Sequence, residues 1–399
     1  MSPSLPQALR DHAGRLLAEV LRFERAADAV VQQYVKRERR LGARDRAQLS
    51  DIVFGCLRHL HRVRAAAGEE RSAALVDAWL DGRWQALDAA SLDAGTASDL
   101  PDWLLEAWPW GQGDAGLAMA EAFNRPAPLD LRVNIARAKR EAVQAQLARD
   151  GIECEPGRWS PHALRVVGKP ALQRHAFLND GTVEVQDEGS QLLGWLTAPR
   201  RGELVVDFCA GAGGKALHLA ALMRDSGRIH AFDVSAGRLA ELSVRTRRAG
   251  LRSVHPMALN DEHDARLGRL AGKADRVLID APCSGLGTLR RAPDLKWRQG
   301  PDQVAARAAA QASILAAGSA LVKAGGALVY ATCSMLPAEN EAVVAGFLET
   351  HPDFAVDPAG PVLARQGIAL AVSEDGALRL NPLHHDTDAF YGIRLIRSA

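Results

Sequence analysis

The feature that most constrains the fold is a repeated order of apolar strand, glycine-containing turn and helix in the second half of the chain. GELVVDFCAGAGG, RIHAFDV, ADRVLIDAPCSG and ALVYATCS each begin as a buried strand, and helical segments such as AGRLAELSVRTRRAG alternate with them. Strands and helices that alternate in this way form a parallel sheet with helices on both faces. We therefore expect an α/β, doubly wound domain over residues 201–399. Its longest helix is predicted within VAARAAAQASILAAGSALVKAGG, ending at Gly325–Gly326.

The first half of the chain has two other sequence patterns. At 399 residues, the chain is also too long for one compact core. In residues 1–122, ALRDHAGRLLAEVLRF and RDRAQLSDIVFGCLRHLHRV place their apolar residues on one helical stripe. In residues 123–200, strand-like PLDLRVN is followed by helical AKREAVQAQLARDG and two short alternating runs. We predict a helical domain at 1–122 and a small α+β module at 123–200, ahead of the α/β domain.

Composition excludes several classes of protein. The net charge is +1, so a nucleic-acid site has to be a local patch. One candidate patch is VKRERRLGARDR, which fits either a solvated helix end or an RNA contact. The five cysteines are scattered without metal-ligand spacing, so we expect no metal. No signal peptide or membrane-length apolar run stands out, so we expect a cytoplasmic monomer.

The chemistry-bearing residues are predicted at the carboxyl ends of the parallel strands, where such sheets bind ligands. One of these ends is the glycine-rich turn DFCAGAGGK, residues 207–215. A phosphate-binding P-loop requires G-x-x-x-x-G-K-[ST]. Cys209 stands in place of the first glycine, and Ala216 stands in place of the Ser or Thr. The turn is therefore not an ATPase loop.

Two cofactors remain for this turn. Gly211, Gly213 and Ala216 fit the dinucleotide pattern G-x-G-x-x-[GA] loosely, with Asp233 downstream as a ribose ligand. S-adenosylmethionine also requires a glycine-rich turn and an acid after the second strand, but it needs no tight pyrophosphate cradle. Two cysteines at the later strand ends, Cys283 and Cys333, favour S-adenosylmethionine. A dehydrogenase has no use for them, whereas a methyltransferase acting on pyrimidines does.

That use follows from the chemistry of cytosine. Carbon-5 is too weak a nucleophile to attack a sulfonium methyl, but a thiolate that adds to carbon-6 makes carbon-5 enamine-like. A carboxyl group near N3 stabilises the adduct, and a base then removes the carbon-5 proton. DAPCSG and ATCS supply one carboxyl, Asp280, and two thiols, Cys283 and Cys333. The residues alone do not choose between the two thiols as nucleophile.

The quoted segments, with DAPCSGLGTLRRAPDLKW, GGALVYATCSMLPAENE and VQDEGSQLL, resemble the Sun/Fmu (RsmB/NOP-type) family of S-adenosylmethionine-dependent RNA cytosine-C5 methyltransferases. The resemblance runs from about residue 100 to the end. RDHAGRLLAEVL and LGARDRAQLSDIVFGCLRHLHRV resemble the NusB-like RNA-binding domain of its ribosomal members. The resemblance implies a NusB-like domain, an RRM-like module and a Rossmann-like class I methyltransferase domain, in that order.

The resemblance also implies roles for residues. Cys333 is the nucleophile, and Cys283 assists release of the methylated product. The cofactor-binding residues are Cys209, Ala210, Gly211, Ala212, Gly213, Gly214, Lys215, Asp233 and Asp280. The family's usual C-A-A-P-G-G-K carries Gly-Ala here in place of Ala-Pro. The usual acid after the third strand aligns near Leu259–Asn260, so either Asp261 replaces it or Asn260 bonds the adenine; we assign Asp261.

The expected substrate is a cytosine in small-subunit (16S) ribosomal RNA, flipped out of its stack. We also expect LRRAPDLKWR, residues 289–298, to contact RNA, because it directly follows the predicted catalytic turn. Three alternatives remain open. They are the same reaction on transfer RNA, a non-catalytic RNA-binding ribosome-assembly factor, and an NAD-dependent oxidoreductase.

Overall fold

The computed structural model describes residues 5–88 and 91–399. Residues 1–4 and 89–90, which fall in the predicted first domain, lie outside the described residues. The chain forms two compact units: Met1–Pro126 with Ser284–Val304, and Ala127–Cys283 with Ala305–Ala399. This division differs from the three predicted domains, whose boundaries stay a prediction. No helix in the described ranges combines the length and apolar character needed to cross a membrane.

The first unit is helical. Its N-terminal helices are α1 (Gln7–Val20), α2 (Ala27–Arg37), α3 (Ala43–Arg58), α4 (Leu60–Ala67), α5 (Ser72–Leu80), α6 (Ala94–Ser98), α7 (Asp102–Glu106) and α8 (Asp114–Phe123). The predicted apolar stripes form its core, in which Leu16 of α1 packs with Leu49 and Leu57 of α3. Burial of one apolar face is what stabilises helices of this length.

The second unit contains two sheets, of which the first is small and antiparallel. Its strands are β1 (Leu129–Val133), β2 (Cys154–Pro156), β3 (Ala163–Val166) and β4 (Val183–Val185), in the order β2-β3-β1-β4. Helices α9 (Arg140–Arg149), α10 (Ala176–Asn179) and α11 (Glu188–Thr197) occur in the same stretch of chain. The sheet confirms the predicted RRM-like α+β module.

The second sheet has the order β10-β12-β9-β8-β5-β6-β7, with β11 paired to β12. Its strands are β5 (Leu204–Asp207), β6 (Arg228–Asp233), β7 (Val254–Ala258), β8 (Ala274–Asp280), β9 (Val322–Thr332), β10 (Phe354–Val356), β11 (Leu378–Leu380) and β12 (Phe390–Arg397). Strands β5 to β9 pair in parallel, whereas β12 pairs antiparallel to β9. The predicted doubly wound α/β fold is confirmed.

The remaining helices are α12 (Gly214–Leu222), α13 (Ala236–Ala249), α14 (Leu295–Arg298, in the first unit), α15 (Pro301–Ser319), α16 (Glu341–Thr350), α17 (Ala359–Ala364) and α18 (Pro382–His385). The predicted end of α15 at Gly325–Gly326 is wrong. The helix ends at Ser319, because Val322 already pairs with Ala274 of β8. The register then shifts, and Gly325 takes a φ of +69° inside the irregular part of β9.

The segment Ser284–Val304 belongs to the helical first unit, and the RNA contact expected of residues 289–298 stays a prediction, although two of its basic residues are buried. Lys296 is completely buried, and its Nζ donates to the carbonyl of Arg58 at 2.8 Å and to Asn124 Oδ1 at 2.7 Å. Burial lowers the pKa of Lys296 to about 7. Arg290 is also buried, whereas Arg291 is exposed. Lys296 therefore ties the segment to the helical unit, because both of its acceptors lie there.

Candidate active site

The polar residues predicted at strand ends do lie at one edge of the large sheet. Strands β5, β6 and β8 end at Asp207, Asp233 and Asp280, and β9 ends at Thr332. The parallel register sets Asp207 opposite Leu278 on one side and Ala231 on the other, and it sets Asp280 opposite Ala331. The side chains that follow these strands therefore share the rim where open α/β sheets bind ligands.

Two cavities lie along this rim. The first has a volume of about 290 Å³, and its lining includes six of the predicted site residues: Cys209, Asp233, Asp261, Asp280, Cys283 and Cys333. The second has a volume of about 200 Å³, and its lining includes Ala210, Ala212, Gly213, Gly214 and Lys215. Cys209, Arg238 and Asp280 line both cavities. Of the predicted site residues, Gly211 lines neither cavity.

The glycine-rich turn is shaped to bring backbone against a ligand. Gly211 and Gly213 have φ angles of +53° and +85°, which glycine adopts without strain. A Cβ on Gly213 would lie 2.0 Å from Leu242 Cδ1, so no side chain fits there. Helix α12 begins at Gly214, and its first amides have no helical acceptor. This cradle fits a nucleoside carrying a small charged group, because it lacks the P-loop residues that hold polyphosphate.

Asp233 fixes the turn as well as lining the first cavity. Its Oδ2 accepts from the amide of Gly211 at 2.8 Å, and its Oδ1 accepts from the amide of Ser235 at 2.8 Å. Each carboxylate oxygen has a second lone pair, so the group is still able to accept from ribose hydroxyls.

Lys215 and Asp280 form an ion pair at the junction of the two cavities. Lys215 Nζ donates to Asp280 Oδ2 at 2.6 Å. Burial acts to lower the pKa of Lys215, but the charge of Asp280, its hydrogen bond and the charges of Cys333 and Asp207 together outweigh burial, and the pKa is raised. The ammonium group is therefore kept charged beside the carboxylate. Nearby Cys333 also contributes to raising this pKa, so the thiolate form of Cys333 would be attracted to Lys215.

Asp207 is the unusual acid of the site. It is completely buried, and neither carboxylate oxygen makes a hydrogen bond of ordinary geometry in the part of the chain that the structure describes, although the nearby Ala216 amide acts to lower its pKa. Burial, followed by the charge of Asp280, raises the pKa of Asp207 to about 7. Asp207 lines the second cavity together with Gln186, whose Oε1 is also buried without a partner in the described ranges. Such groups are rare in folded proteins unless a ligand or water satisfies them.

The two predicted catalytic cysteines are in contact. Their Sγ atoms lie 3.3 Å apart, and both side chains are partly buried beside Asp280. Cys209 lies in the same cavity, but burial raises its pKa well above the ordinary value and keeps it a thiol. The thiolate is the nucleophilic form of cysteine, so Cys209 is suited to lining the cavity rather than to attack.

The two residues expected near the adenine differ in their surroundings. Asp261 lines the first cavity, and its Oδ1 accepts from the amide of His263 at 2.8 Å. Asn260 is absent from that lining, and its amide donates to Asp264 at 3.0 Å. Glu262 lines the cavity as well and was not predicted. The acidic run NDEHD carried no signal that singled out Glu262.

Gln186 and Ser190 are two further residues that the site predictions missed. Both line the second cavity, and Gln186 Nε2 donates to Ser190 Oγ at 3.1 Å. They belong to VQDEGSQLL, where helix α11 begins, and this segment entered the predictions only as part of the family resemblance. Their position four residues apart at a helix start was the available signal.

Comparisons with known proteins agree with this architecture. The model of the family described as 16S rRNA methyltransferase RsmB/F matches residues 195–396, and that of the RsmF/B-like ferredoxin-like domain matches residues 100–173. The chain is 34% identical over 346 residues to the probable ribosomal RNA small subunit methyltransferase B of Synechocystis sp., covering 86% of this chain and 73% of that protein.

Two solved structures share the fold. The crystal structure of PH0851 superposes with a TM-score of 0.80 and 25% identity, over 99% of this chain and 100% of that one. The structure of NSun6 from Pyrococcus horikoshii with SFG gives a TM-score of 0.66 and 19% identity, over 75% of this chain and 98% of that one.

Proposed function

The chain belongs to the RsmB/F family of 16S ribosomal RNA methyltransferases, and on that premise we propose that it methylates carbon-5 of a cytosine through a covalent adduct with Cys333. The observation that carries this proposal is the contact between Cys283 and Cys333, 3.3 Å apart in one cavity with Asp280. Methyl transfer to an oxygen or an exocyclic nitrogen needs no thiol. A paired thiol site beside a carboxyl group fits the addition chemistry of carbon-5.

The cofactor of this reaction is proposed to be S-adenosylmethionine, which supplies an electrophilic methyl group on its sulfonium. The NSun6 structure was solved with SFG, an S-adenosylmethionine analogue. Asp233 and Asp261 line the first cavity, and we propose that Asp233 accepts from the ribose hydroxyls and that Asp261 bonds the adenine. Asp207, buried and without a partner among the described residues, suits a cationic ammonium group.

The proposed reaction begins when the Cys333 thiolate adds to carbon-6. An S–C bond forms, and the electrons of the ring double bond move toward carbon-5. Asp280 stabilises the ring by passing a proton to N3 from the Lys215 ammonium, to which it is bonded at 2.6 Å. Carbon-5 then takes the methyl group, with cleavage of the methyl–sulfonium bond. The Cys283 sulfur, 3.3 Å from Cys333, is placed to take the carbon-5 proton. The double bond re-forms, the N3 proton returns through Asp280 to Lys215, and Cys333 leaves as a thiolate.

Ribosomal RNA is the favoured substrate because the family model and the Synechocystis relative are both described by that substrate. A ribosomal RNA target also favours the cytoplasm, as the sequence predicted. The predicted NusB-like character of the N-terminal helices is part of the same proposal. Transfer RNA remains the second candidate, because the same pair of cysteines would serve it equally well.

The target is tested by bisulfite sequencing of RNA from a strain that lacks the protein. We expect one small-subunit rRNA cytosine to lose its methyl mark, to regain it with the wild-type gene, and not to regain it with Cys333→Ala. Sequencing transfer RNA from the same cells separates the two candidates. An unchanged rRNA pattern together with a lost transfer RNA mark would reject the ribosomal target, and no lost mark in either RNA would reject the reaction.

A further inference from the structure

A buried polar network lies beside the two cysteines and joins the segments that carry them. Gln311, on helix α15, donates through Nε2 to the carbonyl of Pro282 at 3.0 Å and to Glu339 Oε1 at 3.1 Å. The hydroxyl of Tyr330 donates to the carbonyl of Glu339 at 2.6 Å and lies 3.2 Å from Gln311 Oε1. One amide therefore binds both the residue before Cys283 and the loop after Cys333.

The network is closed to solvent and uses the full capacity of the amide. Gln311, Tyr330 and Glu339 are all completely buried. The two hydrogens of a glutamine amide are its only donors, and both are bonded here. The surrounding helix sequence AARAAAQASILAAG is apolar apart from a few positions. An apolar side chain at position 311 would fill the same buried space without the cost of burying a polar group. A buried, fully bonded amide instead fixes the relative position of its partners.

The two cysteines do not depend equally on this bridge. Cys333 directly follows strand β9, which pairs with β8 on one side and β12 on the other up to Ala331 and Thr332. Thr332 Oγ1 also donates to Asn340 Oδ1 at 2.5 Å. Cys283 lies in Ala281–Gly285, a stretch without regular secondary structure. The position of Cys283 is therefore more sensitive than that of Cys333 to loss of the bond that Gln311 makes to Pro282.

We propose that Gln311 is a positioning residue that keeps the Cys283 sulfur beside Cys333 and so controls how quickly the covalent RNA adduct is released. This inference rests on the proposed function. Without the bond to Pro282, the Cys283 turn loses one of its anchors, whereas Cys333 stays at its strand end. Attack at carbon-6 then continues, and the step that needs Cys283 slows. The variant enzyme accumulates as an adduct with its substrate RNA.

The experiment compares Gln311→Met with Tyr330→Phe in the full-length protein. Gln311→Met keeps the length of the side chain and removes the bond to Pro282. Tyr330→Phe disturbs the same buried network but leaves that bond in place. Each variant is incubated with substrate RNA and S-adenosylmethionine, and the RNA–protein complex that survives denaturant is measured beside turnover and melting temperature. Gln311→Glu, which replaces the donor nitrogen with an acceptor oxygen, is a second variant should Gln311→Met fold poorly.

We expect Gln311→Met and Gln311→Glu to lower turnover about tenfold and to raise the adduct fraction several-fold, while the single-turnover rate of adduct formation stays within about twofold of wild type. Tyr330→Phe is expected to lower the melting temperature without raising the adduct fraction. Equal adduct fractions in all variants and wild type would reduce Gln311 to a structural residue. If the wild-type enzyme methylates RNA but the Cys283→Ala variant forms no adduct, the proposed mechanism is rejected instead.

Discussion

The two sides of the rim that holds both cavities differ in how the hydrogen-bonding capacity of their buried polar groups is satisfied. The cysteine side is formed by the segments that follow β8 and β9. Its buried polar side chains are bonded within the protein: Gln311 donates to the carbonyl of Pro282, Tyr330 to that of Glu339 and Asn340 to that of Ser334. On the glycine-loop side, formed by residues 207–215 and Gln186, the Asp207 carboxylate and Gln186 Oε1 have no partner among the described residues. The cysteine side is thus preorganised by the protein alone. The glycine-loop side keeps open groups that a ligand would satisfy.

The largest expected effect tests the cysteine side. Cys333→Ala should reduce methylation at least about 1,000-fold, because it removes the group that activates carbon-5. Cys283→Ala should also block turnover but leave the protein bound to RNA as an adduct that survives denaturing electrophoresis. Cys209→Ala is the matched control, since its buried thiol lines the same cavity. The opposite pattern, with an adduct in Cys333→Ala only, would exchange the two roles.

Much of the cysteine side could be predicted from the sequence, because parallel strands bring their carboxyl ends to one edge wherever they fall in the chain. Asp280, Cys283 and Cys333 are separated by up to 53 residues yet share one cavity. The role of Gln311 could not be predicted. In an alanine-rich helical segment, a lone glutamine has the pattern of a solvated position, and only the folded structure shows that it faces Pro282.

The glycine-loop side was predicted less completely, for a related reason. The turn, its glycines and Asp233 follow from local pattern, whereas Gln186 reaches the cavity from the segment just before helix α11. In residues 289–298 the charge of Lys296 suggested exposure, but the side chain is buried, and that burial depends on distant acceptors on Arg58 and Asn124. Local sequence reports which groups a segment carries, but not which distant groups satisfy them.

The second prediction uses the raised pKa of Asp207 on the glycine-loop side. The folded pKa is about 7 and the ordinary value is 3.8, so the folded protein retains a proton that the unfolded chain loses in between. Stability therefore falls as the pH rises through this window, by at most about 4 kcal/mol. Asp207→Asn cannot ionise, and its melting temperature relative to wild type should climb as the pH rises from about 5 to about 7. If the difference in melting temperature between Asp207→Asn and wild type does not change with pH, Asp207 is already ionised or bonded in the folded protein.

The third prediction tests whether the turn itself forms the cofactor cradle. Gly213→Ala introduces a Cβ 2.0 Å from Leu242 at a φ of +85°, and should weaken S-adenosylmethionine binding about tenfold in calorimetry. Gly202→Ala is a matched control, because its φ is +83° and nothing lies within 4 Å of the added Cβ. It should lower stability through backbone strain but leave affinity unchanged. Equal affinity losses in both variants would attribute the effect to strain alone.

The smallest expected effect separates an open group from a bonded one in two glutamines, one just before helix α11 and one within it. Gln186 carries the unpartnered Oε1, whereas Gln191, five residues later, donates to the carbonyl of Gln186 at 3.1 Å and accepts from Ser160 Oγ at 2.8 Å. Gln186→Leu should weaken S-adenosylmethionine binding by a few-fold, about 0.5–1 kcal/mol, with little change in melting temperature. Gln191→Leu should do the reverse, because it leaves bonded partners unsatisfied. If Gln186→Leu lowers the melting temperature as much as Gln191→Leu does, the open amide is a structural group and the contrast between the two sides fails.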